Sequence, residues 1–464
     1  MVRTFDWHPI GIPGYSPGMD CIVVGGGSAG AFTAWLLARK GFEVMLVEQR
    51  SRGQAGASWH NDVERDILDE MGLGAPPQGV IVQRPSRFTM TTECGSVRHE
   101  LSPFPAMVVD MSTLVPWLLD RAESAGASLR FETPATIGRW NGQVREVHAG
   151  EEVIAARVVV DARGNSAAIG SPESAVRPVL DLCNAYQAVY EISALLQARQ
   201  FMLSHGITSD EILSTAAVEG GFSVFHLCIS EERKEVALLA ASQPALGRRS
   251  GKRIVEDFAA TNSWVGKRLS GSGAPIPLRP TAGSLVEDGL ARVGNAAGQV
   301  FPTTGSGVVL GFRGAMLASE AIDNALRIAR PARKETLWSY NAAYQTGPGA
   351  IGAAYQPLRY LVSSLSNKQV RDLLLAGIVN SESIRSAYEH RKYPAGPEVF
   401  GRALGSLPKL VPLLPWLVRA LAMSALLERH YRLFPLDPRD FPKWAATTER
   451  LMYRAATPAR QVLL

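Results

Sequence analysis

The chain has 464 residues, a length for two or three domains or for one large domain with an appended part, and its 46% apolar and 20% charged residues suit a well-cored globular protein and exclude a disordered one. Its four cysteines (Cys21, Cys94, Cys183, Cys228) show no paired spacing and no histidine cluster, which argues against a disulfide framework or a metal site and for a reducing compartment. The net charge of +5 resides in the tail, where 12 Lys/Arg face 6 Asp/Glu from Tyr388 onward.

A basic, apolar tail points to a membrane surface or a greasy substrate more than to nucleic acid, and a docked helical tail with a solvated basic face is the plainer alternative. The first residues lack the basic start and apolar core of a secretory leader. Residues 410–427 come nearest to a spanning segment, but Pro412, Pro415 and Arg419 interrupt them. These features predict a cytoplasmic protein, at most peripheral to the inner face of a membrane.

Residues 20–48 read as strand, glycine turn, helix and second strand, ending in an acid. Gly25, Gly27 and Gly30 have the spacing of a dinucleotide fingerprint. The first permits a tight turn, the second admits a pyrophosphate, and the third lets helix pack on strand; Ser28 and Ala29 open the helix whose N-terminus attracts phosphate. Glu48 stands eighteen positions past Gly30, placed to accept from ribose hydroxyls. Gln49 and Arg50 follow it, and Arg50 and Arg52 can neutralise phosphate or adenine-side charge.

Residues 61–71 are expected to form a helix with Asp62, Glu64 and Arg65 on its polar face. Residues 78–107 alternate as strands, and residues 110–126 form a helix capped by Ser112 or Thr113 with Pro116 in its first turn. Short strands follow near 129–131, 144–147 and 152–161, the last stopping at Asp161-Ala-Arg-Gly-Asn-Ser166. Cys183, Tyr186 and Glu191 either line a pocket or belong to a packed helix. Residues 222–229 and 235–240 make a hairpin of a separate sheet, residues 252–269 a helix, and residues 308–330 a long helix leading into a helical last third.

Three segments taken together carry a family resemblance: the fingerprint, the turn at Asp161, Gly164 and Ser166, and Val293-Gly-Asn-Ala-Ala-Gly-Gln-Val-Phe-Pro-Thr-Thr-Gly-Ser-Gly307. The chain resembles the FAD-dependent family of aromatic hydroxylases, flavin halogenases and geranylgeranyl reductases over roughly residues 19–330. The run 278–294 and Leu182-Cys-Asn-Ala-Tyr-Gln187 are most similar to the geranylgeranyl reductase branch. Three positions depart from the pattern: Asn295 for Asp, Arg163 for Ser or Thr, and Met111 for a flavin-contacting Arg. The halogenase Trp-x-Trp-x-Ile-Pro motif is missing.

The resemblance implies an α/β fold: a Rossmann-like FAD-binding domain built from segments 19–60, 104–172 and 278–330, an antiparallel-sheet substrate domain from 61–103 and 173–277, and a helical region 331–464. It implies that Asn295, Pro302, Gly305, Ser306, Gly307 and Val308 cradle the flavin; with no second strand-linked glycine fingerprint in the chain, NAD(P)H, if used, must visit transiently or give way to another electron donor. The expected activity is reduction of alkene bonds in a hydrophobic, isoprenoid-like or secondary-metabolite substrate by hydride from flavin N5. A monooxygenase, a redox-neutral enzyme like the lycopene cyclases (whose Pro-Thr-Thr-Gly stretch resembles residues 302–305) and a non-catalytic binding protein are the alternatives. His60 is the candidate for acid–base work, a lone loop histidine being otherwise merely exposed.

Overall fold

The computed structural model describes residues 19–170, 178–280, 283–328, 331–394 and 410–461. The expectations for the first nine residues, for the junction at 172–173, for Thr281 and Ala282, and for the tail at 395–409 and 462–464 lie outside the described residues.

Strand β1 (Met19–Val24), helix α1 (Ser28–Arg39) and strand β2 (Val44–Val47) form where the apolar runs and the glycine turn place them. β1 is central: it pairs in parallel with β2 on one side and with strand Glu152–Asp161 on the other. Ser128–Arg130 extends the parallel array beyond β2, and Leu290–Arg292 extends it beyond Glu152–Asp161. Alternation along these strands feeds two cores. Cys21, Val23, Val158 and Val160 pack under α1 and the helices Met111–Ser124 and Val308–Arg327. Ile22, Val24, Val47 and Val159 pack on the opposite face against Val147 and Ile137 of a hairpin layer. Both faces are covered, as continuous apolar parallel strands require.

A second sheet of seven strands runs in the order Val265–Pro277, Leu182–Ile192, Glu235–Ser242, Val224–Ser230, Ile212–Ala216, Phe88–Thr92 and Arg98–Leu101. It contains the expected hairpin, with Ser230 opposite Glu235. A third, small sheet joins β3 (His60–Glu64), Ala106–Asp110 and Ile81–Gln83. The last third is helical: Lys334–Tyr344, Ala350–Ser363, Asn367–Leu375, Ser381–Tyr388, Leu414–Arg432 and Phe441–Gln461. No helix among the described residues is long and apolar enough to cross a membrane.

Four local expectations are corrected. Residues 61–71 are not one helix: β3 pairs antiparallel with Ala106–Asp110, and only Ile67–Glu70 is helical. The helix expected at 252–269 is Gly251–Thr261, because Asn262 turns its side-chain amide back onto Phe258 O (2.9 Å) and Val265 begins a strand paired with Leu182–Ile192. The 111–124 helix is capped by Asp110, whose Oδ1 accepts from Ser112 N at 2.8 Å; Pro116 is its sixth residue, beyond the first turn. Residues 182–192 are a strand between two partners, so the packed-helix alternative for Cys183, Tyr186 and Glu191 falls.

Candidate functional site

Three loops meet at the C-terminal edge of the parallel strands. Gly25 N donates to Val47 O (2.8 Å), Ala162 N to Val24 O (2.8 Å), and Val293 N to Asp161 O (3.0 Å). The glycine turn, the Asp161 turn and the stretch 294–307 are thereby laid side by side, an arrangement that places ligands at a strand-end crevice.

The three fingerprint glycines are not equivalent. Gly25 has φ +109°, and a Cβ there would lie 2.4 Å from Ala162 O; a Cβ on Gly30 would lie 2.0 Å from Gly25 O. Those two close the turn and seat the helix. Gly27 has no heavy atom nearer than Gly56 Cα at 3.9 Å, so its surface stays open at the start of α1. No side chain caps α1, and none caps the Val308–Arg327 helix at Gly307. Two uncapped N-termini with their unspent N–H groups suit two negative charges, a pyrophosphate at Ser28–Ala29 and a reduced flavin edge at Val308. The chain therefore fits FAD.

Glu48 is buried at the end of β2. Its Oε2 accepts from Gly26 N (2.6 Å) and its Oε1 from Arg50 N (2.9 Å), leaving a lone pair on each oxygen for ribose hydroxyls. Gln49 and Arg50 are exposed beside it, and Arg50 donates to Gly56 O at 3.1 Å. Arg52 is spent elsewhere, on Asp120 (2.5 Å) and Glu123 (2.9 Å).

The departures from the family pattern have local partners. Arg163 donates from Nε to Asp161 Oδ1 (3.0 Å) and from Nη2 to Asp161 Oδ2 (2.9 Å), so the buried Asp161 is neutralised within its own turn. Gly164, at φ +68°, carries the chain around to Ser166, whose Oγ donates to Arg163 O (2.8 Å). Asn295 donates from Nδ2 to Asn165 Oδ1 (2.8 Å), and Asn165 in turn donates to Pro275 O (2.7 Å). A carboxylate at 295 could not make that first bond. Met111 is buried in the core of the parallel sheet. Pro302 is buried, and the loop beyond it is closed by Phe301 N to Ser306 O (2.8 Å) and Gly305 N to Phe301 O (2.9 Å), leaving Thr303 to Gly307 half-buried at a rim.

That rim borders a cavity of about 400 Å³ walled by β3, the seven-stranded sheet and the C-terminal helices. Apolar groups such as Phe88, Val108, Ile212, Leu239, Ile276 and Leu358 dominate its wall, with Thr303, Gly305 and Ser306 among them. Its volume lies in the range of small-molecule sites. Cys183 and Tyr186 line it; Glu191 does not.

Alternation along β3 turns His60, Asp62 and Glu64 to one face, and all three line the cavity. His60 makes no ring hydrogen bond among the described residues; its backbone N donates to Gln187 Oε1 at 2.7 Å, and burial lowers its pKa. Burial pushes Asp62 up to about 6. Glu64 Oε1 lies 2.6 Å from His390 Nδ1, and Arg313 donates to Glu64 Oε2 at 2.6 Å. Burial raises Glu64, but His390 and Arg313 outweigh it and hold the carboxyl below its usual range. Burial lowers His390 against the opposing pull of Glu64. The ionised Glu64 assigns the neutral ring's proton to Nδ1 and leaves Nε2 without one; Nε2 is buried and has no hydrogen-bond partner among the described residues. The ring stands edge-on to Phe301 of the flavin-type loop, centroids 4.8 Å apart. Nothing in the sequence marked this pair, because Glu64 sat on an expected helix and His390 in the basic tail.

Comparison with known proteins agrees with this geometry. A family model described as FAD dependent oxidoreductase matches residues 20–62, which include the glycine turn, Glu48 and the start of β3. Digeranylgeranylglycerophospholipid reductase 1 of Methanopyrus kandleri is 26% identical over 302 residues, 62% of this chain and 76% of that protein. Geranylgeranyl diphosphate reductase of Rhodobacter capsulatus is 25% identical over 325 residues, 68% of this chain and 77% of that protein. A geranylgeranyl bacteriochlorophyll reductase-like protein from Thermoplasma acidophilum shares the fold, with TM-score 0.67 at 15% identity over 86% of this chain and 99% of its own.

Proposed function

Taking this chain as an FAD-dependent oxidoreductase, we propose that it reduces carbon–carbon double bonds of a hydrophobic, isoprenoid-like molecule held in the cavity. One observation carries the reading: the apolar cavity has the loop Thr303, Gly305 and Ser306 in its own wall. A substrate there lies against the group this loop is built to cradle. The relatives named as reductases of geranylgeranyl compounds support the same substrate class.

Bound FAD supplies the two-electron chemistry, replenished by a transient NAD(P)H or another donor. The chain's residues do the rest. Gly27, Ser28 and Ala29 would hold the pyrophosphate on the turn that Gly25 and Gly30 close, and Glu48, Gln49 and Arg50 the adenosine side. Asp161, Gly164, Asn295, Pro302, Gly305, Ser306, Gly307 and Val308 hold the ribityl chain and ring. The apolar wall excludes water, and His390, doubly protonated against the Glu64 carboxylate, would give the proton from Nε2; His60 is the second candidate on the same wall. The exposed apolar and basic side of the Leu414–Arg432 helix brings the protein to the inner face of a membrane, where such substrates reside.

The test is to load the protein with FAD, reduce it without oxygen, and add geranylgeranyl diphosphate. Mass spectrometry showing gain of hydrogen pairs supports the reading. Incorporated oxygen after aeration moves it to a monooxygenase, and an isomer of unchanged mass moves it to the cyclase type.

A further inference from the structure

Asp62 is the carboxyl of the cavity wall that has no partner among the described residues. Its neighbour on the same face of β3, Glu64, has two partners; Asp62 has no hydrogen bond or ion pair among the described residues. It is half-buried in the cavity wall.

The cations nearby are all engaged. Arg313 is held by Glu64. Arg359 of the cavity wall is paired with Asp181 (2.8 Å). Arg233, also on the wall, lies 3.4 Å from Glu235 and donates to Val82 O at 3.2 Å.

The surroundings of Asp62 are aromatic, with polar tips. Its charge acts on Tyr388 and Cys228, raising the pKa of both beyond what burial does. Tyr388 packs on Phe88 (5.4 Å) and Phe104 (4.9 Å), and His226 meets Phe88 edge-on at 5.8 Å. Neither the Tyr388 hydroxyl nor the His226 ring has a hydrogen bond among the described residues, and both line the cavity. Cys228 is taken by Gln83 at 2.9 Å. An acceptor-only group and two polar tips therefore gather around Phe88 inside an apolar chamber.

A carboxylate without a partner in a mostly apolar wall is costly to the fold, so a ligand is the source of the missing donor. We infer that Asp62 is a binding residue for the hydrogen-bond donor of an otherwise apolar cavity ligand, a hydroxyl or a protonated amine, with Tyr388 and His226 completing the subsite. This rests on the reading of the cavity as the substrate site. It adds to it that the substrate is amphipathic, with its donor about 7 Å along β3 from Glu64.

The test has two arms on the FAD-loaded protein. In the binding arm the probes are geranylgeraniol, its methyl ether and geranylgeranylamine. Wild type should bind the alcohol at least about tenfold tighter than the ether, which lacks the donor. Asp62→Leu should erase that ratio. A further preference for the amine, lost in the same variant, identifies the donor as cationic. Equal binding of alcohol and ether by wild type overturns the inference. In the stability arm, Asp62→Asn and Asp62→Leu should melt above wild type at pH 8, with the difference gone at pH 4, where the wild-type carboxyl is protonated. Melting below wild type at pH 8 assigns Asp62 to holding the fold and overturns the inference. If no prenyl probe binds wild type, the isoprenoid reading fails, and the stability arm still decides the role of Asp62.

Discussion

His390 Nδ1 lies 2.6 Å from Glu64 Oε1 across 326 positions of sequence. The pair joins a strand of the small sheet to the segment that follows the Ser381–Tyr388 helix, under Phe301 of the flavin-type loop. If His390 handles the proton, His390→Gln should lower turnover roughly 10²- to 10⁴-fold while FAD binding is unchanged. Glu64→Gln removes the group that opposes the effect of burial on His390, so the alkaline limb of the pH–rate profile, where the donor loses its proton, should move to lower pH. Histidine NMR titration reads the same shift without turnover. An unmoved His390 resonance in Glu64→Gln would remove Glu64 from the role.

The fingerprint glycines should separate fold from cofactor. Gly25→Ala forces a side chain onto φ +109° and against Ala162 O, so it should lower Tm or prevent folding. Gly27→Leu meets open space in a backbone conformation any residue adopts, φ −70° and ψ 179°. It should fold with the wild-type Tm and show no flavin absorption after reconstitution. Retained yellow colour would mean that the pyrophosphate does not pass Gly27.

Burial lowers His226 to about 4, so the unfolded chain takes up its proton first as pH falls. Its contribution to stability is complete above about pH 6.5 and lost progressively toward pH 4, up to about 3 kcal/mol. His226→Asn should flatten that part of the stability–pH curve in denaturant melts. An unchanged curve would place the acid sensitivity elsewhere.

Asp181 and Arg359 form an ion pair with no exposed surface on either side chain, and Tyr360 donates to the same Asp181 oxygen at 2.7 Å. Asp181→Asn leaves Arg359 charged in the interior and should destabilise the protein by about 3–5 kcal/mol in urea melts. A loss under 1 kcal/mol would mean that water reaches the arginine.

The Leu414–Arg432 helix and the turn after it expose Val418, Leu426, Leu433 and Leu436 beside Arg419, Arg429 and Arg432. Sedimentation with phosphatidylserine vesicles should capture the protein at low salt and release it at high salt. Leu426→Glu with Leu433→Glu should abolish capture without changing Tm. Equal sedimentation of the double variant would make the stripe an ordinary surface.

The parts legible in the sequence were those whose cause is local. The glycine turn, Glu48 and the 302–307 loop announce themselves because tight turns and helix starts restrict residue type over a few positions. The misreadings have the opposite origin. β3 looked helical because its polar residues face a cavity, so its pattern is inverted relative to a strand packed on a core. The helix at 251 stops early because a partner strand far away in sequence, Leu182–Ile192, claims the residues that follow. Asn295 and Arg163 looked like defects until Asn165 and Asp161 supplied the partners.

The cavity wall draws Arg359, Tyr388 and His390 from the last third of the chain, beyond the stretch that carries the family motifs. Gripping the cofactor and choosing what it acts on are thus written on different lengths of polypeptide. Substitutions after Arg327 can reshape the chamber and leave the turn at Gly25–Gly30 untouched. The separation is one of lining and not of folding: Trp338 and Tyr340 of the last third pack in the same core as the parallel sheet, and Tyr340 donates to Arg292 O at 2.6 Å, so a chain cut after Arg327 would lose the support of its flavin-type loop together with the chamber.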